Sequence, residues 1–150
     1  MTTNASERLR ALIEAEKADL ESLFALYDSL PAVPTERMIG EWEGGCFRTG
    51  HAGERQLGKM GWIGKSFRGR NDVDPIVVRD AEGKRVASDV LGSASLRAVE
   101  YRGTVTATMV YDQHPIFDHF RAVDETTVLG VMDRKGEKLP LFFYLRRVGG

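Results

Sequence analysis

Cysteine is almost missing from this chain of 150 residues, since Cys46 is the single example. One cysteine cannot close an internal disulfide, and a chain of this length buries enough surface to fold on its core alone. We interpret Cys46 as a small filler of that core. The chain also lacks the basic, apolar and small-residue pattern of a secretory signal. These observations predict a cytoplasmic protein.

An excess of charge of one sign is missing as well, because 21 Lys and Arg residues face 22 Asp and Glu residues. Without a positive field we expect no nucleic-acid partner. The longest apolar run, from Leu139 to Leu145, is far shorter than the roughly 20 residues of a spanning helix, so no membrane span is expected. The three histidines have no metal-type spacing, and no metal site is predicted.

The apolar residues change their period once along the chain. Between Ser6 and Leu30 they recur at three and four positions, which predicts one amphipathic helix over residues 6–30. After Pro34 the period becomes two, with Gly, Asn and Asp between short segments, which is typical of antiparallel strands. The predicted strands are 38–48, 59–67, 75–79, 84–90, 93–101, 104–111, 116–123, 126–133 and 139–148.

This succession predicts a mainly β, single-domain protein over residues 1–150, in which residues 38–148 form an antiparallel β-barrel of about eight to ten strands. Closure is favoured because it removes unpaired strand edges. Lys65, in the second predicted strand, could form a salt bridge with a bound carboxylate, but the favoured interpretation is an exposed lysine that discourages edge pairing.

A glycine and tryptophan motif lies on the first predicted strand. Gly40, Trp42 and Gly44 share one face because alternate residues point the same way. The glycines leave room for the indole to lie across the end of a barrel, where an arginine of the last strand would stack on it. Arg147 is favoured over Arg146, since Arg147 shares parity with the apolar residues of that strand. The motif is interpreted as structural.

Five segments of the chain carry a family resemblance: "GEWEGG", "FRTGH", "WIGKSF", "MVYDQHPIFDHFRAVDETTVLGVMDRKG" and "FFYLRR". They resemble the bacterial GXWXG-domain family with its associated C-terminal domain of unknown function, over roughly residues 30–148. The resemblance implies a calycin-like barrel with no established activity. Gly40, Trp42 and the last-strand arginine are also similar to the lipocalin signature, which closes the barrel end. Calycin-like proteins commonly carry fatty acids, retinoid-like molecules or haem.

The segment from Tyr111 to Glu125 holds the sharpest candidate residue. Asp118 shares its strand face with Ile116 and Phe120, so it must be paired or have its pKa raised. One interpretation makes Asp118 a ligand contact or general base inside the barrel. The other makes it structural, fixing a backbone corner or paired with one of three cations: Arg121, Arg147 or Lys65.

Two neighbouring polar residues have open roles too. Arg121 either anchors a ligand carboxylate or pairs with one of Asp118, Asp112 and Glu125. Tyr111 either holds the polar head of a ligand or hydrogen-bonds to a neighbouring strand.

The favoured function is a soluble binding protein that holds a small apolar or amphipathic molecule, fatty-acid-like or similar, in the barrel. The predicted polar contacts are Tyr111, Asp118 and Arg121, and the predicted lining is Trp62, Met109, Phe120 and Phe143. The alternative is an isomerase- or hydrolase-type enzyme in which Asp118 moves a proton and Tyr111 or Arg121 stabilises negative charge. No cofactor is predicted. Haem ligation by a histidine, a homodimer and a helix that docks on another protein are lesser alternatives.

Overall fold

The structure is a computed structural model that describes residues 4–149. Three α-helices precede or interrupt the strands: α1 (Ala5–Glu14), α2 (Leu20–Ser29) and α3 (Ala52–Met60). A 3-10 helix, Thr35–Met38, leads into the first strand. The strands are β1 (Gly40–Cys46), β2 (Gly64–Gly69), β3 (Asp72–Arg79), β4 (Arg85–Ala87), β5 (Ala94–Tyr101), β6 (Thr104–Tyr111), β7 (Ile116–Ala122), β8 (Thr127–Arg134) and β9 (Leu141–Arg147).

Eight of the strands close into an antiparallel barrel, which confirms the predicted fold class. The order of pairing is β2-β1-β9-β8-β7-β6-β5-β3, and β3 pairs back with β2. The seam between β3 and β5 is narrow, with Val73 opposite Ala94. The short strand β4 pairs with the other part of β3 and adds a ninth strand outside the closed ring.

The single helix predicted over residues 6–30 is wrong, because this segment forms two helices. Helix α1 ends at Glu14, and Ala15 adopts an extended backbone. Helix α2 restarts after Asp19, whose carboxylate accepts a hydrogen bond from the backbone N–H of Ser22 at 2.7 Å. A capping aspartate satisfies a helix N-terminus and therefore favours a new start over continuation.

Helix α2 packs on the outer surface of the barrel. Its buried residues Leu23, Leu26 and Tyr27 share one apolar cluster with side chains from β8 and β9, including Leu129 and Phe142. Helix α1 adds Leu9 to the same cluster. The apolar stripe of the N-terminal segment is therefore covered by the chain's own barrel. None of the helices within residues 4–149 combines the length and apolarity needed to cross a bilayer.

Helix α3 replaces the beginning of the strand predicted over residues 59–67. The helix starts at the His51 cap, where Nδ1 accepts a hydrogen bond from the Gly53 N–H at 2.9 Å. It stops at Gly61, which adopts a left-handed backbone with φ of 74°. Such a glycine ends a helix because it lacks the Cβ that disfavours this conformation. The other predicted strand boundaries agree with the structure to within three residues.

Candidate functional site

A cavity of about 70 Å³ lies where α3 covers one end of the barrel. The helix supplies Leu57 and Met60 from its inner side, and the barrel strands supply the floor. The full lining is Gly53, Gln56, Leu57, Met60, Trp62, Lys65, Leu91, Tyr111, Ile116, Asp118, Met132, Arg134, Leu141 and Phe143. Most of these side chains are apolar, so the few polar groups among them decide what the cavity can bind.

Lys65 and Asp118 form a buried ion pair on the cavity wall. Lys65 Nζ lies 3.2 Å from Asp118 Oδ2, and the two side chains are 3% and 1% exposed. The ammonium also donates a hydrogen bond to the carbonyl oxygen of Pro75 at 3.1 Å. Apart from Lys65, no donor among residues 4–149 hydrogen-bonds to either Asp118 oxygen. The carboxylate therefore retains its capacity to accept hydrogen bonds.

Three aromatic rings surround the Lys65 ammonium. Nζ lies 5.1 Å from the ring centre of Phe143, 5.5 Å from that of Trp62 and 5.9 Å from that of Tyr111. Each ring presents a partial negative charge on its face, so the group favours a cation at this position. The indole N–H of Trp62 is also buried without a hydrogen-bond partner among the described residues.

Burial shifts the pKa values of the polar groups in the cavity. It lowers the pKa of Lys65, which the nearby Asp118 carboxylate partly offsets. It raises the pKa of Asp118, against the opposing effect of Lys65. The pKa of Tyr111 is raised well above its usual value, first by burial and then by Asp118. Desolvation thus brings the ammonium and the carboxyl closer to exchanging a proton than they would be in water.

The structure brings four of the predicted ligand contacts together: Trp62, Tyr111, Asp118 and Phe143 all line the cavity. Met109 and Phe120 are fully buried in the same interior cluster but lie outside the cavity lining. Asp118 is opposite Met109 in the pairing of β6 and β7, which places the cavity directly beside the packed core.

Arg121 lies away from the cavity, on the outer face of β7. Its Nη1 donates hydrogen bonds to the carbonyl oxygens of Tyr27 at 3.2 Å and Leu30 at 2.9 Å. The guanidinium also lies 4.6 Å from the ring centre of Tyr27. Residues an odd number apart point to opposite faces of a strand, so Arg121 fixes the end of α2 while Asp118 points inward.

The interpretation of Lys65 as an exposed edge lysine is wrong. Strand β2 pairs with both β1 and β3, so it has no free edge at this position. Among the three cations proposed as partners for Asp118, the structure selects Lys65. One signal in the sequence pointed to this outcome, because Lys65 shares the parity of the apolar residues Ile63 and Phe67. Helix α3 and its contribution to the lining were also missed.

The glycine and tryptophan motif forms the predicted structural contact. Arg147 stacks on Trp42 with its guanidinium carbon 4.5 Å from the ring centre, and it donates to the Ile39 carbonyl at 2.9 Å. The fully buried indole donates to the Met38 carbonyl at 2.8 Å. A Cβ on Gly44 would lie 1.7 Å from the backbone oxygen of Tyr144, so β1 and β9 need a glycine there to approach each other.

The three histidines have separate surroundings. His51 caps α3 and places Nε2 3.1 Å from a Glu137 carboxylate oxygen. His114 follows β6 and meets the edge of Tyr111. His119 lies on the outer face of β7, stacked on Tyr101 at 4.1 Å between ring centres. Within residues 4–149, no group of three or more His, Cys, Asp or Glu side chains is placed to hold a metal ion.

Comparison with known proteins identifies the family. The model described as "GXWXG protein" matches residues 25–83, and the model described as "Domain of unknown function (DUF4334)" matches residues 92–147. A crystal structure of a protein from Thermomonospora curvata is 42% identical, covers 95% of this chain and 97% of that chain, and has a TM-score of 0.88. No curated protein matches the chain. The chain belongs to the GXWXG family and carries the DUF4334 domain after its GXWXG region.

Proposed function

We propose that the protein binds a small molecule in the cavity beneath α3, with the polar group of that molecule against Lys65 and Asp118. One observation carries this proposal. Lys65 and Asp118 form an ion pair that is buried from bulk solvent but lines a cavity, and the other walls of the cavity are mainly apolar. An apolar pocket with a few convergent polar groups is the usual form of a small-molecule site. The lining also contains two hydrogen-bond donors, the O–H of Tyr111 and the indole N–H of Trp62.

Stability alone does not account for the ion pair. Removing two charges from water is costly, and replacing a buried pair by well-packed apolar residues is often neutral or stabilising by about 1–4 kcal/mol. An apolar pair at positions 65 and 118 would thus suit a barrel that only had to fold. The presence of Lys65 and Asp118 at a cavity supports a role toward a ligand.

The size of the cavity limits the ligand. A cavity of about 150 Å³ holds benzene, whereas this one encloses about 70 Å³. The enclosed part therefore suits a polar group with a short apolar body of a few carbon atoms. A longer chain would have to extend past Gln56 and Arg134, the exposed residues of the lining.

Native mass spectrometry of freshly purified protein, followed by extraction, tests the proposal directly. The blocking variant is Leu57→Trp, because Leu57 is a half-buried lining residue of α3. The matched control is Leu139→Trp, because Leu139 is 60% exposed and outside the lining. We expect a bound molecule in the wild type and in Leu139→Trp, and its loss in Leu57→Trp. Equal retention in all three would contradict a site in this cavity.

An empty protein after purification calls for a titration with n-propanol, followed by NMR of the methyl groups. The cavity offers Leu57, Met60, Ile116, Met132 and Leu141 as reporters. We expect shifts at these methyl groups and not at Leu23, which packs in the cluster under the helices. No shift at saturating n-propanol would overturn the binding proposal.

A second candidate function is proton transfer catalysed by Asp118, and it is favoured by the raised pKa of a carboxyl group at the cavity. A carboxylate with a raised pKa is a better general base near neutral pH. Lys65 and Tyr111 would face the negative charge that develops on a substrate. The test is solvent-deuterium exchange at the carbon next to the carbonyl of propanal, which Asp118→Asn should abolish and Asp112→Asn should leave unchanged.

A further inference from the structure

We propose that Lys65 forms an imine with the carbonyl carbon of a small aldehyde or ketone bound in the cavity. This inference deepens the proposed function, on which it rests, by assigning the class of ligand and a covalent mode of binding. It stands on the position of the Lys65 amine, at the cavity wall, 3.2 Å from a carboxylate and ringed by three aromatic side chains.

The reaction needs only the groups present and the carbonyl ligand. Asp118 takes one proton from the Lys65 ammonium, which leaves a neutral amine with a free electron pair. That pair attacks the carbonyl carbon, the C–N bond forms, and the nitrogen proton passes to oxygen to give a carbinolamine. Asp118 then returns its proton to the hydroxyl group, the C–O bond breaks, and one water leaves. The product is a cationic iminium ion that faces the ionised Asp118 carboxylate. No step of the reaction is an oxidation or a reduction.

The surroundings of Lys65 fit both ends of this reaction. Burial lowers the pKa of Lys65 and raises that of Asp118, so transfer of the first proton is easier than in water. The iminium product is a cation again. It would lie between the rings of Phe143, Trp62 and Tyr111, whose faces favour positive charge. It would also lie beside the Asp118 carboxylate, which is ionised again at this stage.

Lys65 differs from the other five lysines of the chain. Lys17, Lys59, Lys84, Lys135 and Lys138 are all exposed, whereas Lys65 is 3% exposed. An exposed lysine meets bulk water, which hydrolyses an imine. A buried amine at an apolar cavity is the one suited to hold a carbonyl compound covalently.

The experiment treats the whole protein with propanal and sodium cyanoborohydride near neutral pH, and maps the modified peptides by mass spectrometry. Reduction converts an imine into a stable propyl amine, so each modified lysine gains one propyl group. We expect Lys65 to be labelled at least about tenfold faster than Lys59, which is exposed on α3. Labelling of Lys65 no faster than that of the exposed lysines would overturn the inference.

Two variants separate chemistry from charge. Lys65→Arg keeps a cation for Asp118 but cannot form an imine, and it should lose the fast-labelled site. Asp118→Asn keeps the shape of the carboxyl group but cannot return a proton to the carbinolamine hydroxyl. It should slow labelling of Lys65 through the loss of water, although it also removes the charge that raises the pKa of Lys65. If Lys65→Arg does not fold, the comparison of Lys65 with Lys59 within the wild type still decides the question.

The failure of this inference is distinguishable from the failure of the proposed function. Binding of n-propanol without labelling of Lys65 would overturn the imine and leave the binding site in place. Labelling of Lys65 without measurable binding of n-propanol would support the imine and remove the noncovalent site. Neither binding nor labelling would overturn both.

Discussion

Lys65 and Asp118 meet across the interior of the barrel, with Nζ and Oδ2 3.2 Å apart. Lys65 belongs to β2 and Asp118 to β7, and these strands are not neighbours in the sheet. The contact therefore joins two walls of the barrel at the point where the cavity begins. The ion pair should affect both the stability of the fold and the chemistry of the cavity. Its effect on stability is tested without any ligand.

Lys65→Met should destabilise the fold strongly. The variant leaves the Asp118 carboxylate buried without its cation, and breaking a buried pair in this way costs about 3–5 kcal/mol. The double variant Lys65→Met/Asp118→Leu removes both charges and should recover most of that loss. Urea unfolding of the two variants and the wild type measures both effects.

The matched control for this pair is Lys59→Met, since Lys59 is an exposed residue of α3. Its free energy of unfolding should stay within about 0.5 kcal/mol of the wild type, as is usual for surface positions. A double variant as unstable as Lys65→Met alone would show that the charges are not coupled.

Arg147→Lys should weaken the closed end of the barrel. The guanidinium stacks on Trp42 and donates to the carbonyl oxygens of Arg37 and Ile39, and a lysine cannot reproduce a planar group with several fixed donors. We expect a loss of about 1–3 kcal/mol in thermal unfolding. Arg146→Lys is the control, because Arg146 is exposed and stacks on Tyr144 instead of on Trp42. Equal losses at both positions would contradict a special role for the Trp42 contact.

Gly44→Ala and Gly58→Ala should have opposite effects on stability. A Cβ at Gly44 meets the backbone oxygen of Tyr144 at 1.7 Å, so the two strands must separate, and we expect a loss of about 3 kcal/mol or more. A Cβ at Gly58 meets nothing within 4 Å, and alanine favours a helix over glycine by about 0.5–1 kcal/mol. Denaturation midpoints measure both changes, and a destabilised Gly58→Ala would contradict the second expectation.

The extent to which the sequence predicts this structure depends on how local each signal is. Strand β6 is predicted at both ends, because threonines alternate with small or apolar residues from Thr104 to Met109 and turns flank the segment. Helix α3 is missed because its nine residues offer few apolar positions, and the short segment resembles a loop before a strand. Its place over the barrel end depends on the closed ring, which no local pattern encodes.

The candidate site shows the same limit. Strand parity separates Asp118 and Arg121 onto opposite faces of their strand, and the structure agrees with that separation. Parity does not say which face points inward, so the sequence still predicts Arg121 as a ligand contact. The partner of Asp118 could not be chosen among three cations, because the choice depends on which strands face each other across the interior. Strand parity placed Lys65 on the apolar face of its strand. Lysine is rarely buried, however, so the residue type favoured an exposed side chain, and the structure shows a buried one.

His119 should make the protein less stable as the pH falls below about 6.5, the usual pKa of an unfolded histidine. Burial lowers the pKa of His119 in the folded state, against the opposing effect of Asp133. Between the two pKa values the unfolded chain binds more protons than the folded one, so stability rises with pH up to about 6.5 and is lost below it. We expect a loss of stability between pH 6.5 and 5 with a slope of at most about 1.4 kcal/mol per pH unit, because one histidine binds at most one additional proton. Thermal unfolding across this range measures the slope.

His119→Gln should remove this contribution, whereas Asp133→Asn should enlarge it by withdrawing the carboxylate that favours the charged imidazole. The same slope in the wild type and in His119→Gln would show that another group controls the acid response.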